Sequence, residues 1–505
     1  MYILSAKVGC NSELLILMSF FSSLFNKTMP RAISTRPVYL HNTLSGKVEL
    51  FESINGTVRM YNCGPTPYGE QHIGNLFPPV VANVLRNVLE ASGYPVKQVT
   101  NITDFGHLTS DGDEGNDKMT EGLKREGLPM SMENMRVLAE KYAKIFFDDV
   151  ELLGIPVKKV QFPRASDFIA EQIALLSALE EKSYAYKTSD GMYFDTSKFP
   201  GYGKLGGIDI SSLKEGARVT ANIEKKNPAD FALWKFAKES DGNLGWPSPW
   251  GQGFPGWHIE CTAMVFTLLA RQIDIHTGGI EHIPVHHNNE IAQAEAVTGK
   301  QFVRYWLHNA HITIEGKKIS KSLGNTVYLH NITDRGLSAK ALRYWFLTGH
   351  YRTPMNFTWD ALEGANTALK RLQKAFFEFP KGNNVNQKFI DDFYTAVLND
   401  LDTPKALALV WDLVKDTSVP ASEKRASLVE ADRILGLGLN DARAIAKLTV
   451  VKESDLPEEV QFMLDERNLA RIAKNYQRSD ELRIQIEAGG YELTDTAKGQ
   501  QVTKK

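Results

Sequence analysis

The residues best suited to chemistry gather between Gly256 and Glu290, in the stretch GWHIECTAMVFTLLARQIDIHTGGIEHIPVHHNNE. If a helix opens at His287, His286 and Glu290 stand at i and i+4, about one turn apart on a shared face. That spacing converges two metal-capable groups on one point, as the two histidines of a zincin helix do. Cys261 offers a third soft donor, and a closed tetrahedral site needs a fourth. His287 lacks the i+4 relation to Glu290 and is set aside as a ligand. Two other stretches suit phosphate. In CGPTPYGEQHIGN, His72 and Asn75 are three apart where a helix begins, so both can turn toward an anion at its N-terminus. Gly74 lets a planar ligand approach the backbone; the alternative is a polar cap with an incidental histidine. In GKKISKSLGN, three lysines (Lys317, Lys318, Lys321) and two serines lie between Gly316 and Gly324, a polycationic loop suited to polyphosphate. Taken alone, KKISKS would read as a surface charge run.

These groups need a frame. Thr57–Cys63 alternates apolar and polar, as a half-buried strand does. Gly64, Pro65 and Pro67 break it, a helical pattern runs from Val80 to Leu89, Gly93 ends it, and Val96–Thr103 is again strand-like. Strand, helix, strand predicts a βαβ unit, hence a parallel sheet with its active face at the strand carboxyl ends. Neither a G-x-x-x-x-G-K-[ST] nor a G-x-G-x-x-G loop accompanies it. Residues 108–256 look inserted between two halves of that sheet. They hold an acidic loop with Asp111, Asp113, Glu114 and Asp117, whose spacing does not complete an EF-hand. Helical patterns at Val137–Leu153 and Asp167–Lys182 and a strand candidate at Gly191–Asp195 follow. Past Leu337 the pattern is helical, with Pro404 at a helix start. Arg467, Arg471, Lys474 and Arg478 fall at intervals of 4, 3 and 4, which draws a basic stripe along one helix face. A small hairpin closes the chain.

Composition narrows the class. At 505 residues the chain holds roughly two to four domains. Its 43% hydrophobic and 23% charged content is that of a soluble enzyme. A net charge of -2 means that nucleic acid would be met by local patches. Three cysteines (Cys10, Cys63, Cys261) exclude a disulfide framework and fit a reducing compartment. The apolar run Leu14–Met18 is too short to span a bilayer and lacks a cleavage site, so no membrane is expected.

HIGN followed by KISKS resembles the paired signatures of class I aminoacyl-tRNA synthetases, and the chain more narrowly resembles the cysteinyl-tRNA synthetase family. The segments that carry the likeness are YNCGPTPYGEQHIGN, VTNITD, SKFPGYGKLGG, DFALWK, GWHIECTAM, DIHTGG, HHNNEIAQAEA, KKISKSLGN and ALRYWFLTGHYRTPMNFT. The resemblance implies a Rossmann-like parallel-sheet catalytic domain split by an inserted α/β domain, then a mostly α-helical tRNA-binding region. It assigns 1–35 to an N-terminal extension, 36–107 and 257–330 to the catalytic halves and 108–256 to the insertion. Residues 331–360 would be a stem-contact region and 361–505 an anticodon-binding region.

It also implies one Zn²⁺ per chain on Cys63, Cys261, His286 and Glu290, which supplies the missing fourth donor, and Mg²⁺ with ATP. Shape alone separates cysteine from serine only ~10–200-fold, whereas zinc binds a thiolate strongly and a hydroxyl poorly. By the same resemblance His72, Asn75, Lys318 and Lys321 are catalytic. Gly74, Gly278, Gly279 and Glu281 join His72, Asn75 and Lys321 around ATP. Thr103, Trp257 and His276 line the amino-acid pocket, and the basic stripe meets tRNA(Cys). L-cysteine, ATP and tRNA(Cys) are the expected partners of a cytoplasmic monomer. Departures include Asn75 for a second histidine, Ile319 for methionine, Glu281 for aspartate, Asn288 for glutamate, and FGHLTSDGDEGNDK after NITD. Two rivals are a paralogous ligase joining cysteine to an amino sugar and a non-catalytic zinc-stabilised RNA-binding protein.

Overall fold

The computed structural model describes residues 36–105, 118–208, 223–237, 244–320, 323–440, 451, 453–496 and 499–504. The N-terminal extension and the acidic loop expected from the sequence lie largely outside them. The described chain begins with a hairpin, β1 (Tyr39–Asn42) and β2 (Lys47–Leu50), turned by Gly46 at φ +70°. The parallel sheet starts at β3 (Val58–Asn62), followed by helix α1 (Ile73–Ala91) and β4 (Val96–Thr100). Helix α1 begins at the HIGN segment, seven residues ahead of the apolar pattern at Val80–Leu89, and carries Pro78 and Pro79 inside it. Neither proline can donate to the carbonyl four residues back, at Gly74 and Asn75, so the helix is tolerated rather than favoured there. Its apolar face outweighs this: Leu76, Val80, Val84, Leu85, Val88 and Leu89 are buried.

Helices α2 (Lys118–Glu126), α3 (Met132–Leu152) and α4 (Ile169–Glu181) come next. An antiparallel sheet follows, formed by β5 (Ala185–Lys187), β6 (Gly191–Phe194), β7 (Phe231–Phe236) and β8 (Gly253–Pro255). Helix α5 (Trp257–Leu268) returns the chain to the first sheet through β9 (Ile273–Gly279), helix α6 (Asn288–Thr298) and β10 (Val303–Asn309). The order β10-β9-β3-β4 is parallel throughout, so the strands before and after the insertion pair at β3–β9. The α/β class and the parallel sheet expected from the sequence are therefore present. Cys63 and Gly279 both emerge at carboxyl ends, where such sheets bind ligands.

Beyond β10 come β11 (Ile312–Ile314) and β12 (Lys317–Lys318), then α7 (Leu329–Asp334), α8 (Ala339–Thr348) and β13 (Met355–Phe357). A helical bundle follows: α9 (Trp359–Glu378), α10 (Gln387–Val397), α11 (Thr403–Lys415) and α12 (Ala421–Leu435). One apolar core runs from α1 through α8 into this bundle. Arg343 is its polar pin: fully buried, it donates to the Leu435 carbonyl at 2.6 Å, the Leu153 carbonyl at 3.2 Å and Asn83 Oδ1 at 2.9 Å. The chain ends with α13 (Glu458–Ile472), α14 (Tyr476–Ala488) and the expected hairpin, β14 (Tyr491–Thr496) with β15 (Gly499–Lys504). No described helix is long and apolar enough to cross a membrane.

Candidate active site

The floor of the site is set by the strand ends. Asn62, the last residue of β3, donates to Thr277 Oγ1 of β9 at 2.6 Å and accepts from Gln98 of β4 at 2.8 Å. Three neighbouring strands are thus locked in register just below Cys63. Gly64 must be glycine, because a Cβ would overlap the Asn101 carbonyl; Asn101 Oδ1 accepts from Gly64 N at 2.7 Å. This turn points Cys63 across the sheet toward α5 and α6.

The metal-capable groups do converge. Cys63, His286, His287 and Glu290 each bring one donor atom to within 4.8 Å of the other three. Cys261 Sγ lies 3.7 Å from His286 Nε2, and Cys63 Sγ lies 3.3 Å from His287 Nε2. Donors bound 2.0–2.3 Å from a tetrahedral metal stand roughly 3.3–3.8 Å apart, a range that the Cys261–His286 separation meets. His286 and Glu290 hold the i, i+4 relation, with Nε2 and Oε1 2.9 Å apart, although His286 sits in a π-helical turn (Ile283–His287) leading into α6. Without an ion the donors share protons among themselves, and a bound metal would displace them. Burial alone would raise the Cys63 thiol, but a hydrogen bond from Cys261 and the neighbouring His287 and His282 hold it well below the ordinary range. That same bond, then burial, pushes Cys261 well up. Burial opposes charge on Glu290, yet His276 and His286 draw it down to about 2. The donor set is compatible with zinc.

A second layer orients the first. His287 Nδ1 lies 2.8 Å from His308 Nε2, and His308 Nδ1 lies 2.7 Å from Thr43 Oγ1. Burial, foremost, drives His308 down to about 3. His276 Nε2 lies 3.0 Å from Glu290 Oε2, and the His276 ring stacks on Trp306 at 4.6 Å. Trp257 stacks on His286 with centroids 4.0 Å apart.

Cys63, Cys261 and His286 of this cage line a cleft of about 330 Å³, and so does the N-terminal end of α1. His72, Asn75, Gly279, Glu281 and Trp257 line it. Asn75 is steadied by donating to Gln71 Oε1 at 2.8 Å. The two phosphate loops touch. Ile73 N donates to the Val327 carbonyl at 2.9 Å, and a Cβ on Gly74 would stand 3.0 Å from Ile319 Cδ1. Lys318 is exposed and does not line the cleft; Lys321 lies outside the described residues.

The other expectations fare unevenly. Thr103 and His276 stand behind the cleft wall: Thr103 donates to Glu260 at 3.1 Å and His276 supports Glu290. Gly278 leaves room for histidines, since a Cβ would come within 2.7 Å of His282 and His287. His287, set aside as a ligand on spacing, falls within the cluster, at the end of the π turn and beside Cys63. The basic stripe does not form as one helix face. Lys474 takes φ +57° and Asn475 caps a new helix, so Arg467 and Arg471 belong to α13 and Arg478 to α14. Arg467 is only 2% exposed and pairs with Asp495 at 2.9 Å; Arg471 pairs with Asp495 too, and Arg478 with Glu466 at 2.8 Å. Thr66, Tyr68, Gln71, Lys118 and His282 also line the cleft. No spacing rule singles them out, since they meet only across the fold.

Sheet, split insertion and cleft define a class I aminoacyl-tRNA synthetase, and a family model described as "tRNA synthetases class I (C) catalytic domain" matches residues 50–367. Mycobacterium tuberculosis methionyl-tRNA synthetase in complex with methionyl-adenylate shares the fold, with a TM-score of 0.51 at 14% identity over 81% of this chain and 93% of that one. Cysteine–tRNA ligase 1 of Burkholderia lata is 44% identical over 92% of this chain and 97% of its own length. The cysteine–tRNA ligase of Treponema denticola is 39% identical over 91% and 98%. The chain belongs to the cysteine–tRNA ligase family.

Proposed function

We infer that the chain activates L-cysteine with ATP and transfers it to the 3′-terminal adenosine of tRNA(Cys). One observation carries this reading: a single cleft is lined both by the cage residues Cys63, Cys261 and His286 and by His72 and Asn75 at the start of α1. A cysteine spanning them would place its side chain on the cage and its carboxylate near the α-phosphate of ATP. Cys63, Cys261, His286 and Glu290 would hold Zn²⁺, which when bound favours a thiolate over a hydroxyl. His287 then donates from Nε2 to the Cys63 sulfur. Its Nδ1 is already occupied by His308, the arrangement of a second-layer histidine.

The carboxylate oxygen attacks the α-phosphorus; the α-phosphorus–oxygen bond to the β-phosphate breaks and pyrophosphate leaves, with Mg²⁺ accompanying ATP. His72, Asn75 and the amides opening α1 face the charge that builds on those oxygens, with Lys318 and Lys321 brought in by the KISKS loop. Gly74, Gly279 and Glu281 border the adenosine side, and Gly278 acts from behind it. A ribose hydroxyl then takes the acyl group and AMP leaves. Residues 36–107 and 257–330 form the catalytic halves around the 108–256 insertion, and 331–360 and 361–505 serve tRNA. Within that last region Lys474 is exposed and suited to RNA phosphate, whereas Arg467 pins the hairpin.

Cysteine-dependent ATP–pyrophosphate exchange tests the adenylate, and its absence from zinc-replete protein would sink the reading. Labelled cysteine should pass to tRNA and not to an amino sugar offered in competition.

A further inference from the structure

We propose that Lys118, at the start of α2 in the inserted segment, contacts the polyphosphate of ATP during adenylate formation; this rests on the adenylate reading above. Lys118 lines the same cleft as His72 and Asn75, and among the described lining residues it is the one lysine or arginine. Its place follows from packing. Gly122 stands at i+4 from Lys118 and so shares its helix face. A Cβ on Gly122 would come within 3.0 Å of the Tyr68 carbonyl. Arg125 donates to that same carbonyl, and Met119 and Leu123 pack in the cluster that includes Tyr68. Helix α2 is thus moored to the loop leading into HIGN, with Lys118 on the moored face.

Charge decides the ligand. The first turn of α1 carries neither an acidic nor a basic side chain, so its amides alone offer a partial positive charge. Lys118 adds a full positive charge to the lining of the same cleft, and a lysine meets phosphate as a point charge without a fixed fork geometry. The inserted segment thereby supplies a group to the reaction as well as a wall to the cleft.

Pyrophosphate exchange by Lys118→Ala and Lys118→Arg tests this. The alanine variant should lose about a hundredfold in kcat/KM for ATP, the scale of removing one oxyanion donor, with the KM for cysteine and the melting temperature unchanged. The arginine variant should recover to within about tenfold, because the charge matters more than the shape. Affinity for an uncharged sulfamoyl mimic of the adenylate should match wild type in both. Exchange within twofold of wild type in Lys118→Ala, or an equal loss of affinity for the mimic, would overturn the proposal. Failure of wild-type exchange would instead overturn the adenylate reading.

Discussion

The two ends of the cleft are built on opposite plans. At the thiol end every candidate ligand except Cys63 is buried to within 1% of full enclosure, and three of the four are held by further side chains. Cys63 leans on His287 and His308, Glu290 on His276, and His286 on Trp257. At the phosphate end Lys317 and Lys318 are exposed, and contact runs through backbone (Ile73 to Val327) and one apolar touch of Ile319 on Gly74. The difference follows from the two tasks. Telling sulfur from oxygen in one atom requires donors that do not relax around the wrong substrate. Polyphosphate must enter, react and leave, so its cations can stay solvated until it arrives.

The largest expected break of this comparison is at the cage. Cys261→Ala, or removal of zinc by chelation, should lower pyrophosphate exchange by more than about 10³-fold, while ATP binding measured by calorimetry persists. X-ray absorption at the zinc edge should give two sulfur neighbours. One sulfur with two nitrogens would instead make His287 a ligand and leave Cys261 outside. A milder break probes the second layer: His308→Ala should weaken zinc about 10–100-fold in a chelator competition, with exchange recovered at saturating zinc. Unchanged affinity would mean that the Cys63–His287–His308 chain only fills space.

The smallest effect sharpens the phosphate end. Burial, then the nearby Glu70, lifts the Asp149 carboxyl of α3 to about 7, close to the pair that Glu70 makes with His330 at 3.0 Å. A folded-state pKa above the unfolded one means that the folded chain holds the extra proton, so stability falls as pH rises from about 4 to about 7. Asp149→Asn should therefore raise the melting temperature at pH 8 and have little effect at pH 4. Equal shifts at both pH values would rule this linkage out.

How legible was this in the sequence? His286 and Glu290 could be paired from spacing because four residues make one turn, and the βαβ unit followed from periodicity. Cys63 could not be joined to them by spacing, because the link is made across two parallel strands; only the resemblance supplied it. The support that His287 gives Cys63 was hidden for a related reason, since that contact too is made across the fold. The basic stripe failed at Lys474, one residue with positive φ that periodicity cannot see.

Arg343 has a consequence for how the protein is made. Its guanidinium, lowered to about 10 by burial, takes its carbonyl partners from Leu153, made long before it, and Leu435, made long after. A buried cation without its full set of acceptors is strongly destabilising. On the ribosome the core around α1 must therefore wait for Leu435, a delay on the order of 5–20 s at typical elongation rates. Chains released early carry the whole cleft sequence yet lack one carbonyl that completes the pin, so the parallel sheet and its helix α1 are tied to completion of the helical bundle.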